Sequence, residues 1–275
     1  MNIFFFGSTS FVSQDLIKDL DKKFDIYCTS RKNSKKKNIY QFDLNRKNKD
    51  FYDKIKNIDY LFFFASLVPI KESKSTWEDC RKTNVHGLIN LLKNIKLPIK
   101  KIILASSCSL YGQKKSFFNE KSFLKPSSGY ALSKLTQEKI LKVFCLKNNI
   151  KFLAYRLGYV YGNNMNKKRI VKKILVNQQK NKKFNIYNKN LNLNLIHTKD
   201  VSNLITKTFE HAEGIYNLTS NDNITIEKFN NTLLGKKTKK GNKINNYSSR
   251  KFFNKFPDLK IIKLKTRIEQ FKDEN

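Results

Sequence analysis

Apolar runs bounded by turn residues recur along the first 160 positions, alternating with segments in which apolar residues return every three or four places. The run Asn2–Phe6 ends at Gly7, and Phe11, Val12, Leu16, Ile17 and Leu20 then follow at helical spacing, which predicts a strand, a tight turn and a helix. Further apolar runs over 24–29, 39–42, 59–65, 101–105 and 151–156 predict five more strands. These runs are continuous rather than alternating, the pattern of strands buried on both faces of a parallel sheet. Helical period returns over 77–94 through Val85, Leu88, Ile89, Leu91 and Leu92, and over 130–146 through Leu132, Leu135, Ile140, Leu141 and Phe144.

Strands alternating with helices in this way predict an α/β fold: a doubly wound parallel sheet of Rossmann type, occupying residues 1–162. After Gly162 the rhythm changes to a Lys/Asn-rich helix over 168–178, short strands over 184–187 and 193–196, and a helix over 201–209. A smaller C-terminal lobe, 163–275, is expected, interleaved with the sheet near 193–217. The stretch 235–243 is almost entirely Lys, Gly, Asn and Thr, which have little to bury, and reads as a loop. There is no internal repeat.

Composition narrows the function classes. With 39% hydrophobic and 13% aromatic residues the chain can build a core, so disorder throughout is excluded. The net charge of +34 would ordinarily point to nucleic acid or an anionic membrane. Here 49 of the 56 basic residues are Lys, and they accompany 33 Asn and only nine Gly, a skew that adenine- and thymine-rich codons produce. A solvated basic surface is therefore expected rather than a nucleic-acid site, since base readers favour Arg. The four cysteines, Cys28, Cys80, Cys108 and Cys145, are scattered without a close histidine, so neither a metal site nor a disulfide framework is expected. The longest apolar stretch, 60–70, is too short to span a bilayer, and no leader pattern opens the chain. A cytoplasmic protein without membrane contact is the expectation.

Two local patterns carry chemistry. Gly7-Ser8-Thr9-Ser10-Phe11-Val12-Ser13 lies between the first strand and first helix, where free N–H groups and the helix dipole favour a pyrophosphate. Tyr130 and Lys134 stand four apart on one helix face, where an ammonium can depress a phenol's pKa. Four such Tyr/Lys pairs occur in this lysine-rich chain (Tyr52/Lys56, Tyr111/Lys115, Tyr130/Lys134, Tyr247/Lys251). Only the third opens a strong helix and follows a strand that ends in Ser106-Ser107, where an open α/β sheet places its chemistry.

With those residues in view, the chain resembles an extended short-chain dehydrogenase/reductase of the NAD(P)-dependent epimerase/dehydratase family, which acts mostly on nucleotide sugars. The matching stretches, in order, are the turn at Gly7; Asn84-Val85-His86-Gly87; the run from Leu104 to Gly112; Tyr130-Ala131-Leu132-Ser133-Lys134; and the run from Arg156 to Gly162. Weaker echoes are Leu195-Ile196-His197-Thr198-Lys199-Asp200-Val201 and Gly214-Ile215-Tyr216-Asn217-Leu218. Asn84 has a second reading, as a helix N-cap.

The resemblance implies that Ser107 is the catalytic hydroxyl, Tyr130 the acid/base, and Lys134 the residue that holds the nicotinamide ribose and tunes the tyrosine. It implies cofactor contacts at Gly7, Ser10, Phe11 and Val12 in the turn, at Asp43 and Leu44 beside the adenine, and at Ala65 and Ser66 after the fourth strand. Substrate contacts fall to Ser107, Cys108, Ser109 and Tyr159. This chain departs from the family where Ser10 and Ser13 replace glycines, where Cys108 and Ser109 replace the acidic residue of the 4,6-dehydratases, and where Tyr159 replaces a common Asn. A homodimer paired through the 77–94 and 130–146 helices is implied by analogy.

At the end of the second strand, Ser30 and Arg31 stand where an acidic residue would select NAD, so NADP is the expected cofactor, with NAD as the alternative. The expected activity is reduction of a nucleotide-linked 4-keto sugar. The alternatives are a nucleotide-sugar 4-epimerase and, in another class, a non-catalytic or nucleic-acid-binding member of the same fold.

Overall fold

The computed structural model describes the chain apart from residues 47, 56, 71–75, 97, 113–116, 181–188, 190–191, 221–223, 237–245 and 274–275. The strand expected over 184–187 and most of the loop expected over 235–243 lie outside the described residues.

Seven parallel strands form the central sheet: β1 (Asn2–Phe6), β2 (Asp25–Ser30), β3 (Ile39–Gln41), β4 (Tyr60–Phe63), β5 (Lys101–Ser107), β6 (Lys151–Leu157) and β7 (Gly214–Leu218). Their order across the sheet is β7-β6-β5-β4-β1-β2-β3. The first strand lies inside and the order reverses beside it, the doubly wound arrangement that leaves a crevice at the strands' carboxyl ends. Six of these strands match the predicted runs. The seventh, the weak echo at 214–218, pairs with β6 from Gly214↔Leu153 to Leu218↔Leu157, so the chain returns to the main sheet after leaving it at β6.

The all-apolar run of β1 has a simple cause: successive side chains enter different layers. Ile3 and Phe5 face one core with Phe62, Ile103 and Tyr155, while Phe4 and Phe6 face the other with Leu61, Phe63 and Leu104. The first layer is closed by α1 (Phe11–Leu20) and α4 (Thr198–Thr208), through Leu16, Leu20, Val201, Leu204 and Ile205. The second is closed by α2 and α3. Helix α2 runs through Thr76–Cys80, a π-helical stretch Arg81–His86 and Gly87–Asn94; α3 spans Gly129–Lys147. Their entrances touch at Gly129, where an added Cβ would lie 2.6 Å from Trp77 Cα.

A separate core gathers Tyr161, Met165, Ile174, Leu193, Phe229 and Ile268. The C-terminal helix Leu264–Asp273 joins it and is anchored by a buried pair, Arg267 Nη2 to Asp200 Oδ1 at 2.7 Å. Asn84 corrects its N-cap reading. It lies within α2, in the π-helical stretch, fully buried. Its amide accepts from Leu67 N at 2.6 Å and donates to Leu67 O and Ser133 Oγ, pinning the loop after β4 to α3. Among the described residues no helix is long and apolar enough to cross a membrane. The four cysteines are free and buried.

Candidate functional site

Two constructions meet at the carboxyl edge of the sheet. The first is the turn from β1 into α1. Gly7 has φ +90°, and a Cβ there would lie 2.5 Å from Ala65 N, so both the backbone angle and the approach to the end of β4 require glycine. Ser10 caps α1, its Oγ accepting from Ser13 N at 3.3 Å. The Ser10 and Ser13 hydroxyls lie 2.6 Å apart, and Ser13 Oγ donates to the Gly7 carbonyl at 2.9 Å. Because the Ser13 proton goes to Gly7, Ser10 is the donor in the first contact. The serines in the two glycine places therefore close on the turn itself. What remains for an anion is backbone: the N–H groups of Phe11 and Val12, which open the helix and have no acceptor within it.

At the neighbouring strand ends, Ser8 Oγ donates to Thr29 O at 2.7 Å and ties the turn to β2. Ser30 Oγ accepts from Lys32 N at 3.1 Å, and Arg31 is exposed. The Asp43 carboxylate caps its own loop: Oδ1 accepts from Asn45 N at 2.9 Å and Oδ2 lies 3.8 Å from Arg46 Nε. Leu44 is buried under α2, close enough that a Cβ at Gly87 would meet its Cβ at 2.6 Å.

The second construction joins α3 to the end of β5. Tyr130, Lys134 and Glu138 follow at four-residue steps on one helix face, and three consecutive β5 residues hold them. Ser107 stands against Tyr130 and pulls its phenol's pKa down. The Ala105 carbonyl accepts from Lys134 Nζ at 2.7 Å, and Ser106 Oγ donates to Glu138 Oε1 at 2.5 Å. Lys134 is buried and uses all three donors, the others going to Ser66 Oγ at 2.7 Å and Gln137 Oε1 at 3.0 Å. Ser107 Oγ in turn accepts from Ser109 N and Ser109 Oγ, which leaves its own proton free to donate.

Burial pushes the Tyr130 phenol up to about 12, against the pull of Arg169 and of Ser107. Burial lowers Lys134 to about 7, with Glu138 pulling the other way. The cation whose field reaches Tyr130 is thus Arg169, a residue the sequence reading missed; nothing in the spacing separates it from the neighbouring lysines. Tyr159 joins the same corner: burial raises its phenol's pKa, and Arg169 and the backbone of Val171 and Ile170 pull the other way.

The expected substrate contact at Cys108 is corrected. The Cys108 side chain is buried and donates to the Arg156 carbonyl at 3.2 Å, facing the interior because it stands in the tight turn that follows β5. Ser107, Ser109, Tyr130 and Tyr159 are half-buried at this end of the sheet, and the Lys134–Ser66 bond joins α3 to the chain after β4. No cluster of three metal-ligating side chains occurs among the described residues.

These residues fit a dinucleotide cofactor: a glycine that lets β1 pass against β4, unpaired N–H groups at the α1 entrance, and a lysine aimed between β4 and β5. The comparisons with known proteins agree. The sequence profile of the NAD dependent epimerase/dehydratase family matches residues 3–219. The chain is 27% identical over 192 residues to the dTDP-4-dehydro-6-deoxyglucose reductase of Escherichia coli, covering 64% of this chain and 58% of that protein. It is 28% identical over 115 residues to an uncharacterized UDP-glucose epimerase of Bacillus subtilis, YtcB, covering 41% of this chain and 36% of that one. The matched stretch is thus about a third to three-fifths of these relatives' own lengths.

Among solved structures, the UDP-glucose 4-epimerase of Thermotoga maritima with UDP-glucose superposes with a TM-score of 0.84 at 19% identity, over 99% of this chain and 98% of that one. The Thermus thermophilus UDP-glucose 4-epimerase in complex with NAD gives 0.80 at 17% identity, over the same shares. At those identities the likeness is one of fold. From the profile match across most of its length, and from the site that the fold assembles, the chain belongs to the NAD dependent epimerase/dehydratase family.

Proposed function

We propose that this protein reduces the ketone of a nucleotide-linked 4-keto sugar, with a nicotinamide cofactor as hydride source. The observation that carries the reading is the Tyr130–Ser107 pair at the end of β5, with a phenol that keeps its proton through neutral pH. A proton donor to a developing alkoxide must be protonated in its resting state, and Tyr130 is. The bound cofactor supplies the hydride. The protein's part is then to hold the ketone oxygen by the Ser107 hydroxyl and to deliver the Tyr130 proton to it, giving the alcohol. Arg169 stabilises the phenolate left behind, and Lys134 holds the cofactor's ribose by exchanging Ser66 for a sugar hydroxyl. The E. coli reductase among the relatives supports the same choice.

A 4-epimerase is the second reading, favoured by the solved neighbours. The same residues would serve, with Tyr130 acting first as base, and its high pKa opposes that role before cofactor binds.

For the cofactor we propose NADP over NAD. The end of β2 carries Ser30, Arg31 and Lys32 and no carboxylate, and the Arg31 guanidinium has no partner among the described residues. A homodimer is also proposed, paired through α2 and α3. Between them runs an apolar groove lined by Ile89, Leu92, Ile140, Val143 and Phe144, and Leu146 beside it is 82% exposed. The four free, buried cysteines support a cytoplasmic location.

The test is a panel of nucleotide-4-keto sugars offered with NADPH and with NADH. Stoichiometric oxidation of the reduced cofactor, with the 4-hydroxy sugar as product, is expected. Interconversion of C4 epimers without net cofactor oxidation would replace the reductase reading with the epimerase.

A further inference from the structure

Of the three α3 residues held by β5, Tyr130 and Lys134 have parts in the proposed reaction and Glu138 has none. Yet Glu138 is bound as heavily as Lys134, with three hydrogen bonds each. Its carboxylate, 4% exposed, takes Arg156 in a two-pronged pair, Nε to Oε1 at 2.9 Å and Nη2 to Oε2 at 2.7 Å, besides the Ser106 hydroxyl. Arg156 Nη1 donates to the Tyr111 hydroxyl at 2.8 Å, and Tyr111 donates to Asn217 Oδ1 at 2.8 Å. The network therefore runs from α3 through β5, the following turn and β6 to β7 without meeting solvent.

A buried ion pair is a poor way to gain stability, because desolvating two charges offsets most of their attraction and apolar residues of the same volume often do as well. The placement of this one suggests another use. It stands one helical turn beyond Lys134, and Ser106, its contact on β5, lies between the two residues that hold Lys134 and Tyr130. The titratable groups around Lys134 are Tyr130 and Glu138 on α3, Cys80 on α2 and, behind Glu138, Arg156 on β6; the chain after β4 contributes the Ser66 hydroxyl.

We propose that Glu138 is a positioning residue of this site. Clamped by Arg156, it fixes through Ser106 the strand end that presents Ala105 and Ser107, and its carboxylate, one helical turn from Lys134, favours the three-donor ammonium form that burial opposes. The inference rests on the reading above for what Lys134 and Ser107 do. It assigns the Arg156–Glu138 pair to the chemistry rather than to the core.

Glu138→Gln keeps the shape and removes the charge. Two measurements follow it. The first is the protonation midpoint of Lys134, read by NMR in protein labelled at the lysine ε-carbons: the one signal that titrates near neutral pH, and that Lys134→Met abolishes. The second is NADP⁺ affinity at pH 7.5 by calorimetry. In Glu138→Gln the midpoint should fall by about one pH unit, and NADP⁺ should bind about tenfold more weakly, the consequence of that shift. Ser106→Ala, which keeps the carboxylate, should leave the midpoint in place and weaken NADP⁺ by about two- to tenfold, the effect of one lost hydrogen bond.

If the lone Arg156 charge prevents Glu138→Gln from folding, the double variant Glu138→Gln/Arg156→Gln carries the same two measurements. A folded variant with the wild-type midpoint and wild-type affinity overturns the proposal. Should neither variant fold, Ser106→Ala decides alone, and unchanged affinity there overturns it. A wild type that binds no nicotinamide cofactor at any pH, while its Lys134 midpoint still follows Glu138, sinks the reductase reading and upholds the coupling.

Discussion

The turn after β1 and the α3 face against β5 lie on the same edge of the same sheet, and they are built on opposite principles. In the turn, the side chains satisfy one another: Ser10 and Ser13 close a ring of hydrogen bonds onto Gly7, and only backbone N–H groups are left for a ligand. On α3, the groups that face the cleft are side chains: Lys134 and Glu138 are bonded to Ala105 and Ser106 of β5, and Ser107 acts on Tyr130. A site made of backbone tolerates changed side chains provided the chain path survives, which is why two serines can occupy glycine places. A site made of side chains tolerates almost none, because each group removed leaves a buried partner unsatisfied.

The contrast can be tested from its strongest point downward. Tyr130→Phe removes one hydroxyl from the side-chain site; turnover should fall by roughly 10²- to 10⁴-fold while the far-UV spectrum and cofactor binding persist. Activity close to wild type would remove Tyr130 from the chemistry. In the turn, Gly7→Ala is the one change that strikes the backbone, combining a positive φ with an overlap against Ala65; it should destabilise by roughly 2–5 kcal/mol in urea unfolding. A loss under about 0.5 kcal/mol, the range of an ordinary surface change, would show that the chain path there is soft.

Arg31→Ala tests the far end of the same cleft. NADPH affinity should drop by roughly 1.5–3 kcal/mol, the size of a charge-assisted hydrogen bond, with NADH almost unmoved. Equal affinities in the wild type would defeat the preference for NADP and leave the family standing. The smallest effect belongs to Ser10→Gly, which restores the family's residue at a helix cap; stability should change by only a few tenths of a kcal/mol. A loss of more than about 1 kcal/mol, the usual cost of removing a cap altogether, would mean that the serine ring bears on the fold.

Much of this was legible in the chain. Six sheet strands, the long helices and the Ser107, Tyr130 and Lys134 set follow from apolar runs and from motifs at fixed spacing. The misses have physical reasons. The sequence 214–218 breaks its apolar run at Asn217, which is buried in a hydrogen-bond network with Tyr111, so its membership shows only in the pairing with β6. Asn84 looked like a cap because Asn favours caps; its place inside a π-helical stretch depends on Leu67 and Ser133, which are far away in sequence. Cys108 reads as a substrate contact because it occupies the place of the family's acidic residue, and the turn after β5 rotates it inward.

What the sequence by itself determined is therefore the layer order and the set of residues gathered at the end of β5, since both depend on local period and on residue type. Tertiary structure decided how those residues are charged and held. The field on Tyr130 comes from Arg169 rather than from Lys134 four residues away, and Lys134 answers to Glu138 and to acceptors on two other segments. Burial and Coulomb interaction depend on distance in space, and no spacing along the chain records which of 56 basic residues the fold will bring to one phenol.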